Sequence, residues 1–261
     1  MIRAKKKLGQ HWLKDEATLE AICEAADVVP ADIVLEIGPG LGDLTRQLVK
    51  RAGQVIAVEI DKILAVSLYD RVQARNLEVI NTDILSFDLT SLPANYKVVA
   101  NIPYYLTSNL IRVLSESTNP PTIAALLVQK EVAERIAAKP GQMSLLSVSI
   151  QLYYAPKLGP IVSAELFEPP PKVDSQLVIL KRHNQLLFNG IDTKTYFRIV
   201  KAGFAGRRKK LRGSLAAGLH LSKADADKLL SRSGINGDQR AQELSLEDWH
   251  KLYMAYKSNK M

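Results

Sequence analysis

At 261 residues the chain is long enough for one large domain, or a medium domain joined to a small one, which excludes a disulfide-stapled mini-fold. Hydrophobic residues make up 47% and charged residues 24%, the composition of a soluble globular protein rather than a disordered or membrane one. The formal charge is +8 but unevenly spread: residues 1–180 hold 18 Lys and Arg against 20 Asp and Glu, a net −2, whereas residues 181–261 hold 17 against 7, a net +10. A basic final third suits a polyanion, because each phosphate contact releases condensed counterions, but it equally suits a solvated surface. Cys23 is the single cysteine, which excludes an intramolecular disulfide, disfavours a cysteine-based zinc site and fits a reducing compartment. The basic start, Arg3 to Lys7, runs into Gly9-Gln-His11-Trp12 rather than an apolar stretch, so neither a signal peptide nor a membrane span is expected, and the cytoplasm is the expected location.

Along the chain, strands and helices alternate. Val34–Ile37 reads as a buried strand ending in Gly38-Pro-Gly40-Leu-Gly42, residues 43–49 as a helix and Val55–Val58 as a second buried strand, which together make a βαβ unit. The pattern continues with a helix near 62–74, strands at Leu77–Ile80 and Val98–Ala100, a helix near 107–116 and a strand at Ile123–Val128. Such alternation requires parallel crossovers, hence an α/β fold with a Rossmann-like doubly wound sheet. Ser149–Tyr154 and Gln176–Leu180, separated by Pro-rich sequence, read as two further strands, one able to close the sheet as an antiparallel edge. Beyond about residue 185 only helices remain: Lys194–Phe204, Lys223–Ser233 behind the capping box Ser222-x-x-Asp225, and a third from Ser245-x-x-Asp248 carrying Trp249, Leu252, Tyr253 and Tyr256. The expected division is an α/β domain over 1–185 and a small, basic helical domain over 186–261.

Candidate chemistry lies at the strand ends. Glycines between a strand and a helix let the backbone approach a nucleotide-like ligand closely, and here Gly38 and Gly40 are the cofactor candidates. Asp43 stands where a dinucleotide fingerprint needs Gly or Ala, which disfavours a bound pyrophosphate. Glu59 follows the second strand and is placed to accept from two ribose hydroxyls; Asp83 follows the third and is placed to accept from an adenine amino group. Helix capping is the plainer reading of such residues, but three strand ends converging on one crevice favour S-adenosylmethionine, which combines ribose and adenine without phosphate. The fourth strand ends in Asn101-Ile102-Pro103-Tyr104. As chemistry rather than a turn, the Asn101 oxygen and the Ile102 carbonyl, shaped by Pro103, accept both hydrogens of an exocyclic amine, and Tyr104 stacks on a base drawn out of its helix.

These residues, with Leu8-Gly-Gln-His-Trp-Leu13, Phe167-Glu-Pro-Pro-Pro-Lys-Val-Asp-Ser175, Phe204-Ala-Gly-Arg-Arg-Lys-Lys-Leu211 and Ser233–Ser245, resemble the KsgA-type ribosomal RNA adenine dimethyltransferases over nearly the whole chain. The resemblance implies transfer of two methyl groups to each of two adjacent adenosines in a hairpin near the 3′ end of small-subunit (16S) rRNA, late in subunit assembly, by an enzyme taken here as a monomer. It implies cofactor contacts at His11, Leu13, Gly38, Glu59, Asp83 and Asn101, although His11-Trp12 stands where the usual pattern has Asn-Phe. It further implies a sandwich of the target base between Tyr104 and Phe167. Arg207, Arg208, Lys209, Lys210 and Arg212 read either as a solvated run or, from their place at the domain junction, as contacts to RNA phosphates if the helical domain borders the same cleft. No metal is expected, since His183, His220 and His250 lack ligand spacing. Two other readings remain: an Erm-type enzyme acting on large-subunit RNA, and an rRNA-binding assembly factor whose catalysis is secondary.

Overall fold

A computed structural model describes residues 4–206 and 208–258. The chain divides into two compact units, one built from the residues up to Glu134 with Ala155–Arg182, the other from Arg135–Tyr154 with the residues from His183 onward.

In chain order the elements are β1 (Trp12–Leu13), α1 (Glu16–Ala25), β2 (Ile33–Ile37), α2 (Asp43–Leu48), β3 (Gln54–Glu59), α3 (Lys62–Val72), β4 (Leu77–Asn81), β5 (Lys97–Asn101), α4 (Thr107–Glu116) and β6 (Ile123–Gln129). They continue with α5 (Lys130–Ile136), α6 (Leu145–Gln151), β7 (Tyr154–Val162), β8 (Phe167–Glu168), β9 (Ser175–Arg182), α7 (Thr193–Phe204), α8 (Leu211–Leu219), α9 (Lys223–Ser233) and α10 (Leu246–Lys257). Seven strands form one sheet in the order β4-β3-β2-β5-β6-β9-β7. The five strands β4 to β6 pair in parallel, and β9 pairs antiparallel with β6 from Ile123 opposite Lys181 to Gln129 opposite Ser175. This is the doubly wound sheet with an antiparallel strand near one edge that the sequence predicts. The inner strands are nearly unbroken apolar runs because helices cover both faces. Val34, Val55, Val99, Ala125 and Leu177 of the sheet pack with Leu19 and Ile22 of α1 and Leu44 and Leu48 of α2.

One stretch differs from the sequence reading. Ser149–Tyr154 is not a strand: Ser144 opens α6 with a capping box to Ser147, and the strand begins only at Tyr154. Val148 and Leu152 are buried, with Tyr196, Ile199 and Trp249, in the core of the second unit, so residues 135–154, placed by sequence with the first domain, pack there. The Pro-rich segment taken as a connection forms β7, which tolerates Pro156 and Pro160 because it is the outermost strand of the sheet. Helix α8 escaped notice because Gly213 and Gly218 dilute its helical signal.

Gly218 has a packing role: a Cβ there would lie 2.6 Å from Ala202 Cα of α7, so these two helices touch backbone to backbone. Gly218→Ala should therefore lower the melting temperature by roughly 5 °C, overpacking of ~1–3 kcal/mol outweighing the gain in helix propensity. Thermal unfolding by circular dichroism checks this, and an unchanged or higher midpoint would mean that α7 and α8 separate freely.

Candidate active site

Parallel pairing sends the carboxyl ends of β2, β3, β4 and β5 to one edge of the sheet, and an open pocket lies there. Its walls include His11, Leu13, Glu36, Gly38, Gly40, Glu59, Asp83 and the run Asn101 to Tyr104. The structure thus brings together every residue assigned by sequence to the cofactor, and all of those assigned to the amine except Phe167.

Glu59 is buried at the end of β3, its Oε2 accepting from Gly40 N–H (3.1 Å) and its Oε1 from Asp61 N–H (2.9 Å). Burial raises its pKa, and these two amides oppose the rise. The same bond holds the glycine loop, in which Gly40 has φ +59° and a Cβ would meet the Trp12 indole at 2.9 Å, so a larger residue is excluded twice over. Asp83 combines both readings of a strand-end carboxylate: Oδ1 accepts from Leu85 N–H (3.0 Å), capping a 3-10 turn, while the residue remains part of the pocket wall.

The segment before β1 is fastened over the pocket by polar contacts. Lys5 Nζ lies 2.7 Å from Asp61 Oδ2, and Gln10 Oε1 accepts from Lys5 N–H (2.7 Å). Trp12 and Leu13 pair antiparallel with Glu168 and Phe167, and Lys14 forms an ion pair with Glu168. Asn101 Nδ2 donates to the His11 carbonyl (3.0 Å). Because a carbonyl accepts only, this bond fixes which way the Asn101 amide faces and leaves Oδ1 as the free acceptor. The Tyr104 hydroxyl lies 3.0 Å from Ser175 Oγ, and partial burial raises its pKa.

Phe167 lies outside the pocket lining: it pairs with Leu13, and its side chain is 4% exposed in the core of the first unit with Leu13, Leu19 and Leu177. The basic run is also partly spoken for: Lys210 pairs with Asp238 (3.1 Å), and Arg212 with Asp238 (3.0 Å) and Asp227 (3.6 Å). Arg208 and Lys209 are exposed, while Arg207 lies outside the described residues.

Comparison with known proteins decides the family. Residues 1–258 match the model of the ribosomal RNA adenine dimethylase family. The chain belongs to that family. It is 42% identical, over 99% of its length and 90% of the relative's, to a protein named ribosomal RNA small subunit methyltransferase A from Dehalococcoides mccartyi, and 40% identical to one of the same name from Thermosynechococcus vestitus, covering 95% of each. Among solved structures it resembles a dimethyladenosine transferase from Plasmodium falciparum (TM-score 0.84, 27% identity, 96% and 99% of the two chains) and the 23S rRNA methyltransferase ErmE (TM-score 0.77, 31% identity, 94% and 99%). As a ribosomal RNA adenine dimethylase it is an S-adenosylmethionine-dependent methyltransferase. No cluster of three or more metal-ligating side chains occurs among the described residues, and no helix among them is long and apolar enough to cross a membrane.

The residues present fit that cosubstrate. Space stands open in front of Gly38, the Glu59 carboxylate lies beside it, and Glu36, which the sequence reading passed over as part of the glycine motif, is fully buried in the wall with Oε2 unpartnered. The apolar flank is lined by Ile60, Leu85 and Tyr105, which are exposed and were also missed, since nothing in their spacing marks them.

Burial pushes the Glu36 carboxyl up to about 8, with Thr45 opposing the shift and Glu59 and Asp43 adding to it. The folded protein therefore keeps a proton that the unfolded chain releases above the ordinary glutamate range. The stabilising effect is complete at low pH and is lost as pH rises towards about 8. Glu36→Gln, which cannot ionise, should gain stability relative to the parent between ~pH 5 and 8, at no more than ~1.4 kcal/mol per pH unit. Urea titrations at several pH values test this; a difference independent of pH would mean that Glu36 is not held as the neutral acid.

Proposed function

We propose that this dimethylase acts on small-subunit rRNA in the cytoplasm, methylating the exocyclic amines of two adjacent adenosines in a hairpin near the 3′ end of 16S rRNA during late subunit assembly. The observation that carries the chemistry is the Asn101–His11 hydrogen bond. With Nδ2 committed to the His11 carbonyl, Asn101 Oδ1 is preset as an acceptor, and the Ile102 carbonyl follows it on the same pocket wall. Two acceptors engaging the two amine hydrogens direct the nitrogen lone pair away from themselves, towards the methyl donor. Bound S-adenosylmethionine supplies a methyl group made electrophilic by its sulfonium. The nitrogen forms the new N–C bond as the methyl leaves sulfur, and the amine then loses a proton to solvent. No strong base is needed; alignment and the two carbonyl dipoles supply the acceleration. Tyr104, with its hydroxyl tethered to Ser175, offers a ring face that offsets the unstacking of the base.

The names of the two curated relatives, both small-subunit methyltransferases at 40% identity or above, support the small subunit over the large-subunit activity named for the ErmE structure at 31%. Tritiated S-adenosylmethionine offered with undermethylated small subunits, large subunits and DNA should label the small subunits alone. Label in large subunits would establish the Erm-type reading, and binding to small subunits without label would favour the assembly factor.

Asn101→Ala should lower turnover by about 10²-fold or more while binding to subunits stays near the parent value. Single-turnover rates and filter binding on one subunit preparation separate the two effects, and a retained rate would remove Asn101 from the reaction. Replacing Arg208 and Lys209 together by Gln should flatten the slope of log affinity against log salt by up to about 2, because Lys210 and Arg212 already have carboxylate partners. Parallel salt titrations would mean that the exposed pair only faces solvent.

A further inference from the structure

Helix α7 carries its charge differently from its neighbours in the second unit. Within Thr193–Phe204 stand three cations, Lys194, Arg198 and Lys201, and no acid. Spacings of four and three residues place all three within a ~60° arc of the helix, spread over ~10 Å of its length. The other side of α7 buries Tyr196, Ile199, Val200 and Ala202 in the core, and the three cations are exposed. A helix surface that serves solubility alone interleaves the two signs, as α9 and α10 do: Lys228 has Asp225 at 3.8 Å and Lys251 has Asp248 at 3.4 Å. Beside α7 the nearest acid in sequence is Asp192, which caps the helix by accepting from the Lys194 and Thr195 amides and lies close to the Lys194 charge. Among the described residues neither Arg198 nor Lys201 has an ion-pair partner. Like charges one turn apart destabilise a helix, so this side of α7 is unfavourable in the free protein.

We propose that the exposed side of α7, through Arg198 and Lys201, is a phosphate-binding surface for small-subunit ribosomal RNA, separate from the loop that carries Arg208 and Lys209. This rests on the small-subunit reading above. Unpaired cations in a row along a straight helix match a regular row of negative charges, which a nucleic-acid backbone provides and a protein surface of mixed sign does not. Arg198 offers a planar fork that suits phosphate oxygens, and Lys201 a mobile point charge. Such contacts read no sequence; they fix where the subunit sits on the protein. Asp238 already holds Lys210 and Arg212, so α7 carries a share of the phosphate contacts that the basic run cannot supply.

The test measures small-subunit binding across a range of salt for three proteins: the parent, Arg198→Gln with Lys201→Gln, and Lys228→Gln with Lys251→Gln, which removes the same charge from places with acidic neighbours. The α7 pair should weaken binding roughly 25- to 60-fold at about 0.1 M salt and flatten the slope of log affinity against log salt by about 1.4–1.8, as loss of two phosphate contacts requires. The second pair should stay within about twofold of the parent. The α7 pair should melt at or above the parent temperature, because repulsion is relieved, and should bind S-adenosylmethionine as the parent does, because every residue lining that pocket belongs to the first unit. Protein-free 16S rRNA should show the same loss of slope. Three results would overturn the proposal: an α7 pair that binds subunits as the parent does, a second pair that falls equally, which would leave net charge as the whole effect, or a loss with subunits that is missing with protein-free rRNA, which would assign α7 to an acidic protein surface. A parent protein that binds large subunits and not small ones would instead fail the underlying reading.

Discussion

Because β2, β3, β4 and β5 run parallel, each must be followed by a connection that returns to the opposite edge, and the residues ending these strands all emerge together. Glu36, Glu59, Asp83 and Asn101 are far apart in the chain but share one pocket for this reason alone. The Glu59 carboxylate makes the arrangement rigid by accepting from Gly40 on one strand-end loop and Asp61 on the next. Two connections that sheet geometry merely makes neighbours are thereby locked in one conformation. A carboxylate bound by backbone amides in a buried place is oriented before any ligand arrives, which lowers the ordering cost of binding.

The second wall of the pocket is not part of the sheet. It is a short N-terminal segment, without a core of its own, held by contacts to residues remote in sequence: Lys5 to Asp61, Lys14 to Glu168, and the two-residue pairing of β1 with β8. Individually such contacts are weak, and exposed ion pairs contribute little. Together they bring a main-chain carbonyl to Asn101 and an imidazole to Tyr104, so the segment shapes the pocket through its backbone as much as its side chains.

The second unit shows how charge counted along a sequence overstates charge available to a partner. Of the basic residues from Arg208 to Arg212, Lys210 and Arg212 are engaged by Asp238, and the carboxyl of Asp238 is held below its usual range by Lys210 and Arg212. A net +10 over residues 181–261 therefore describes the long-range field of the segment, while the groups free to meet phosphate are fewer.

Periodicity and turn chemistry determined much of this protein by sequence alone: the alternation of apolar strands and amphipathic helices, the glycine loop, and the acidic and Asn-x-Pro-Tyr strand ends, because each depends on residues within one turn or strand of one another. The capped helices α9 and α10 were legible for the same reason, Ser222 and Ser245 each accepting from an end amide three residues on, with Asp248 returning the bond in α10. Tertiary structure decided what depends on partners distant in sequence. Residues 149–151 became helix because Val148 and Leu152 find their core among α7 and α10, not in the sheet. Glu36 became a buried, proton-retaining acid because the environment that desolvates it comes from other segments. Phe167 went into the core and His11 into the pocket because β1 pairs with β8 in a register that turns one ring inward, while the Pro169 carbonyl holds the other beside Tyr104. Local pattern names the residues of a site, but which of them face a ligand is set by pairing across 150 residues of chain, and no local propensity encodes that register.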